Sequence, residues 1–134
     1  MRILLVEDDS ATRLVFSRYL GLQGHTVTEA EHGRQAVDLA GADRFDVVIM
    51  DVNMPEMDGI TACRAIRGMD PKVKVVFMTG MRLGEDVQGI VPDAEWLQKP
   101  VSHLILLEVL KRVSASKRPP NHGATGYDSY MGAE

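Results

Sequence analysis

A chain of 134 residues has room for one domain around one core and not for two. Hydrophobic residues at 45% and charged residues at 25% are the proportions of a globular protein, which excludes a disordered or fibrous chain. A net charge of -4, with no Lys/Arg run beyond pairs such as Lys111-Arg112 and Lys117-Arg118, argues against direct nucleic-acid binding.

The opening MRILLVEDD is apolar for only a few residues before it turns acidic. It is neither a signal peptide nor a membrane span, which needs about 20 apolar residues, so a cytoplasmic protein without membrane insertion is expected. Ile3 to Val6 reads as a buried strand, followed at once by Glu7, Asp8 and Asp9. Ala11 to Leu22 has helical spacing, with Leu14, Val15, Tyr19 and Leu22 as its apolar positions and Asp9 or Ser10 placed to cap it. His25 to Glu29 supplies a second strand and Arg34 to Ala40 a second helix. Asp46 to Met50 is a third strand ending just before Asp51, and Ile60 to Arg67 a third helix carrying Cys63. As the only cysteine, Cys63 permits neither an internal disulfide nor a cysteine zinc site, and a buried inert thiol is expected.

Val73 to Met78 forms the fourth strand, with Thr79 after it. From Gly80 to Ala94 the chain carries Gly84, Gly89 and Pro92, which cost about 1 kcal/mol for each Gly and about 3 for Pro inside a helix, so the fourth helix is expected to be short or irregular. Glu95 to Leu97 is a weaker fifth strand, followed by Lys99 and by a fifth helix over His103 to Val113. The domain is therefore read as residues 1-115. Residues 116-134, with Pro119-Pro120 and three glycines, are expected to be a flexible tail.

Strands alternating with helices through short connections give an α/β fold: a doubly wound, five-stranded parallel sheet with helices on both faces. In such sheets functional groups collect beyond the carboxyl ends of the strands. Glu7, Asp8 and Asp9 stand there after the first strand and Asp51 after the third, so like charges converge. A hard divalent cation would neutralise them, and Mg²⁺ suits an all-oxygen site of one or two carboxylates and waters. Asp9 is read as a cap in preference to a ligand. Thr79 and Lys99 add a hydroxyl and an ammonium at the same edge, which makes a phosphoryl site.

The segments ILLVEDD, VVIMDVNMPEMDG, VVFMTG and WLQKP, in this order, resemble the signature segments of response-regulator receiver domains over about residues 2 to 114. The resemblance implies a flavodoxin-like (βα)5 fold with strand order 2-1-3-4-5. It implies that Asp51 is the phosphoacceptor, Asp8 a direct metal ligand, Glu7 an acid acting on the metal through water, and Asn53 a ligand through its backbone carbonyl. The implied cofactor is Mg²⁺, with Mn²⁺ as a substitute. Thr79 and Lys99 would contact the phosphoryl group, and Lys99-Pro100 would be cis. Pro55, Asp58 and Gly59 match the loop after the acceptor and read as turn chemistry. Thr79 and Trp96 are the implied switch residues. Family members usually carry Tyr or Phe at the second position, and a tryptophan there admits both a switching side chain and a packed or partner-facing one. VPDAEW also replaces the family's usual Gly-Ala ending before the fifth strand.

The implied function is acceptance of a phosphoryl group from a histidine kinase or histidine phosphotransfer protein, a conformational switch, and autodephosphorylation, without turnover as an enzyme. With about 20 residues after the last helix, output through protein contact is expected, on the face of helix 4, strand 5 and helix 5. Met1 directly before the first strand suits a self-contained protein more than the terminal receiver of a hybrid kinase. Two other classes compete. A phosphorylation-independent scaffold is opposed by the complete acceptor set. A Mg²⁺-dependent aspartyl-phosphate phosphohydrolase would need a second acid where Asn53 stands.

Overall fold

The structure, a computed structural model, describes residues 1-80 and 89-115. In chain order the elements are β1 (Arg2–Val6), α1 (Ser10–Leu22), β2 (Thr26–Ala30), α2 (Gly33–Ala42), β3 (Val47–Asp51), α3 (Gly59–Met69), β4 (Lys74–Thr79), β5 (Glu95–Gln98) and α4 (His103–Ala115). The last of these is the helix the sequence places fifth. The irregular helix expected between Gly80 and Ala94 and the tail over 116-134 lie outside the described residues, apart from 89-94.

All four strand pairings are parallel, and the order is β2-β1-β3-β4-β5. Period-two alternation along the strands builds a core on each face of the sheet. Leu4, Val6, Val48, Met50, Val75 and Phe77 pack with Ala36, Ala62, Cys63 and Ile66 of α2 and α3. Ile3, Leu5, Val47, Ile49, Val76 and Met78 pack with Phe16 and Leu20 of α1 and with Leu106, Val109, Leu110 and Val113 of α4. Cys63 is buried as expected, and burial pushes its thiol pKa up.

Two expectations need correction. First, α1 forms where predicted but faces the core differently: Phe16 and Leu20 are buried, while Leu14, Val15, Tyr19 and Leu22 are exposed. The helix carries two apolar stripes, and only packing against the sheet selects one. Second, β3 and β4 each run one residue further than predicted, so Asp51 and Thr79 are the last residues of their strands. The ladder continues past them whatever their polarity, with Val52 N–H donating to Met78 O at 2.9 Å and Lys99 N–H to Thr79 O at 2.7 Å.

Helix starts are set by side-chain acceptors. Asp9 caps α1, accepting from Thr12 N–H at 2.8 Å, and Asp58 caps α3, accepting from Thr61 N–H at 2.8 Å. His32 caps α2 through Nδ1, which accepts from Gln35 N–H. Each satisfies an amide that has no partner within its helix.

Candidate functional site

The carboxyl ends of β1, β3, β4 and β5 bring the polar groups together. Past the end of β1, Glu7 N–H donates to Ala30 O at 3.1 Å, and its Oε2 accepts from Asp9 N–H at 3.0 Å. Glu7 is only 2% exposed. Burial, the largest influence, pushes its pKa up to about 7; the Asp9 N–H and the Lys99 charge oppose this, while the Asp51 charge and a hydrogen bond with Asp8 add to it. Asp9 is committed to its cap, with the Thr12 hydroxyl and N–H lowering its pKa.

Asp51 and Thr79 are wholly buried. Asp51 Oδ1 accepts from Asn53 N–H at 3.0 Å and from Lys99 Nζ at 2.9 Å. Asp51 Oδ2 is buried with no hydrogen-bond partner among the described residues. Burial lowers the Lys99 pKa, but its bond to Asp51 and the charges of Asp51, Glu7 and Asp8 outweigh that and raise it. The ammonium therefore stays charged.

Glu7, Asp8 and Asp51 each offer a carboxylate oxygen within 4.8 Å of the others. Three hard oxygen donors, one of them fully buried, face a single lysine. A buried carboxylate oxygen without a partner costs about 1–3 kcal/mol or more, and a divalent cation would supply that partner. The residues fit such an ion. A cleft lined by Glu7, Asp8, Thr12, Phe16, Lys99 and Pro100 opens beside them.

The loop after β3 is held close to its strand. A Cβ on Gly59 would lie 2.8 Å from Met50 Cγ and 2.9 Å from Val52 Cα, so only glycine fits. Glu56 in the same loop takes a left-handed conformation, with φ 68°. Pro55 O accepts from Met57 N–H at 2.8 Å, which closes the turn.

Glu7, Asp8, Asp51, Asn53, Thr79 and Lys99 border this edge, whereas Trp96 lies within β5 opposite Phe77. Two of the predicted residues behave in ways the sequence did not settle. The Asn53 side chain bridges to β4, its Oδ1 accepting from Gly80 N–H at 2.9 Å and from Thr79 Oγ1 at 3.3 Å. No sequence signal marks this bond, because its partners are 26 and 27 positions away. Trp96 packs inward, its ring stacked on Phe77 at 4.4 Å between centroids. Its indole N–H is buried with no partner among the described residues. The Lys99-Pro100 bond is cis, as the resemblance implies.

The profile of the response regulator receiver domain family matches residues 3–111. The response regulator MprA of Mycolicibacterium vanbaalenii is 38% identical over 128 residues, which cover 92% of this chain and 54% of the relative. The chain thus spans about half the length of the relatives it matches in sequence. Among solved structures, Vibrio cholerae chemotaxis protein CheY4 superposes with a TM-score of 0.77 at 33% identity, covering 84% of this chain and 97% of that one. The receiver domain of the sensor histidine kinase PA1611 from Pseudomonas aeruginosa, which has a magnesium ion coordinated in its active-site cleft, gives a TM-score of 0.73 at 31% identity, covering 84% of this chain and 97% of the other.

Proposed function

Because the chain belongs to the response regulator receiver domain family, we propose that Asp51 accepts a phosphoryl group from a phosphohistidine and that the protein works as a timed switch in the cytoplasm. The observation that carries this reading is the state of Asp51. Its carboxylate is fully buried, with one oxygen gripped by Lys99 and Asn53 and the other without a hydrogen bond among the described residues.

In the proposed transfer a bond forms between an Asp51 oxygen and phosphorus as the phosphorus–nitrogen bond breaks, and the departing histidine ring takes its proton from solvent. Such transfers depend on positioning and charge neutralisation more than on covalent chemistry by the protein. Lys99 holds the carboxylate in one orientation and keeps a positive charge beside the incoming oxygens. Thr79, at the end of the neighbouring strand, offers its hydroxyl to the product. Glu7, Asp8, Asp51 and the Asn53 backbone carbonyl would hold Mg²⁺, or Mn²⁺ in its place, which when bound supplies positive charge to the transferring group. Hydrolysis of the acyl phosphate by water then resets the protein, so it is spent once per signal and is not a turnover enzyme.

The donor on this reading is a histidine kinase or histidine phosphotransfer protein, and the output is a change in protein contacts on the side of β5 and α4. Among the described residues no helix is long and apolar enough to cross a membrane, which is compatible with such a role.

The test is intact mass after incubation with Mg²⁺ and a small acyl phosphate. Wild type is expected to gain one phosphoryl group and Asp51→Ala none. A wild type of unchanged mass, or an equal gain in Asp51→Ala, overturns the reading.

A further inference from the structure

We propose that the Asn53 side chain is a positioning residue that holds the resting state, its amide oxygen standing in for a phosphoryl oxygen at the end of β4. The inference rests on Asp51 being the acceptor, and it concerns the side chain of Asn53, not the backbone carbonyl assigned above.

Asn53 Oδ1 takes two donors at once: Gly80 N–H at 2.9 Å and Thr79 Oγ1 at 3.3 Å. Because the first is a backbone N–H, the oxygen end of the amide must face it, so the orientation of the side chain is settled by chemistry. The backbone N–H of the same residue donates to Asp51 Oδ1 at 3.0 Å. One residue therefore grips both the carboxylate and the two donors across the β3–β4 pairing, where Asp51 stands opposite Met78, the residue before Thr79.

The consequence is competition. A phosphoryl group on Asp51 can take the Thr79 hydroxyl and the Gly80 amide only by displacing Asn53 Oδ1. The exchange replaces a neutral acceptor by an anionic one, and hydrogen bonds to charged acceptors are the stronger. The phosphorylated form therefore wins, but against a resting arrangement stabilised by the asparagine. Removing the side chain raises the free energy of the resting state alone and shifts the equilibrium toward the phosphoryl-bound one.

The test uses the whole chain, labelled for NMR, with beryllofluoride and excess Mg²⁺ as a phosphoryl mimic. Without either, Asn53→Ala is expected to move the Gly80 amide proton upfield and to speed its exchange with solvent, while Asn53→Asp, which keeps an oxygen in place, leaves that amide bonded. On titration, Asn53→Ala is expected to reach half-saturation at about 2- to 10-fold lower beryllofluoride, the range of one net hydrogen bond. A role confined to supporting the loop would instead leave half-saturation unchanged or raise it. The Trp96 indole resonance reports whether the fold is kept, and Asn53→Ser, too short to reach Gly80, replaces the alanine variant if that one does not fold. An unmoved Gly80 amide, or a variant that binds no tighter than a responsive wild type, overturns the latch and leaves the acceptor reading standing. A wild type that does not respond to beryllofluoride overturns the acceptor reading, and this inference with it.

Discussion

Gly59 is the residue whose identity the acceptor strand depends on most directly. Its N–H donates to Val52 O at 3.1 Å, and its missing side chain lets α3 begin against the end of β3, where a Cβ would meet Met50 and Val52 at 2.8 and 2.9 Å. The obstacles include backbone, which cannot step aside as a side-chain tip can. Gly59→Ala is expected to destabilise the fold by about 1–3 kcal/mol, the usual cost of overpacking, read as a lower urea midpoint with an unchanged slope. It should also slow phosphorylation by displacing Asp51. The sequence reading assigned Gly59 to a tight turn. The turn is closed earlier, at Pro55–Met57, and Gly59 begins α3. The reason for glycine there is close approach rather than φ, and that requires knowing what lies opposite.

At the scale of elements, the connection between β1 and β2 carries a titratable contact. The Met1 ammonium lies 3.1 Å from His25 Nδ1, and Thr26 N–H donates to Met1 O at 3.0 Å as β2 starts. Burial, and secondarily the charge of the amino terminus, lowers the His25 pKa from its ordinary 6.5. A base with a depressed folded-state pKa binds its proton more tightly when unfolded. Its contribution is therefore complete above the ordinary value and is lost as pH falls below it, until the folded-state pKa is passed. Between about pH 8 and pH 5, the wild-type urea midpoint is expected to fall by more than that of His25→Gln. Equal falls would show that this histidine takes no part.

The buried strands were readable because β3 and β4 are nearly unbroken runs of Val, Ile, Met and Phe, as sheets covered on both faces require. Helix α1 was readable as a helix, but its buried face was not. Leu14, Val15, Tyr19 and Leu22 make a more prominent apolar series than Phe16 and Leu20, yet only the latter two are buried. Tyr19 instead stacks on His103 of α4, with centroids 3.7 Å apart, closing the surface where the two helices meet. Likewise Leu104 and Ile105 of α4 stay exposed while Leu106, Val109 and Leu110 enter the core.

For the whole molecule, the same parallel topology that buries two cores also aligns the carboxyl ends of four strands, and that alignment concentrates like charge. Glu7, Asp8 and Asp51 are held together by packing of the sheet, against electrostatic repulsion that one lysine offsets only in part. A ligand that binds the folded chain and not the unfolded one stabilises it, by about 2.7 kcal/mol at one hundred times its dissociation constant. Mg²⁺ is therefore expected to raise the thermal midpoint at constant ionic strength, and Asp8→Asn to remove most of that rise. A rise equal to that produced by a monovalent salt of matched ionic strength would indicate screening alone.

What the sequence by itself determined was the alternation of strands and helices, the parallel sheet it implies, and the acids, hydroxyl and lysine at its edge. These are local: composition, periodicity and position relative to a strand end are enough to read them. Only the tertiary structure decided which stripe of α1 is buried, why residue 59 must be glycine, that Trp96 lies against Phe77, and that the Asn53 side chain reaches Thr79 and Gly80. Each of these depends on what a residue meets across the sheet or in the next layer, and contacts between positions far apart along the chain leave no mark in local pattern.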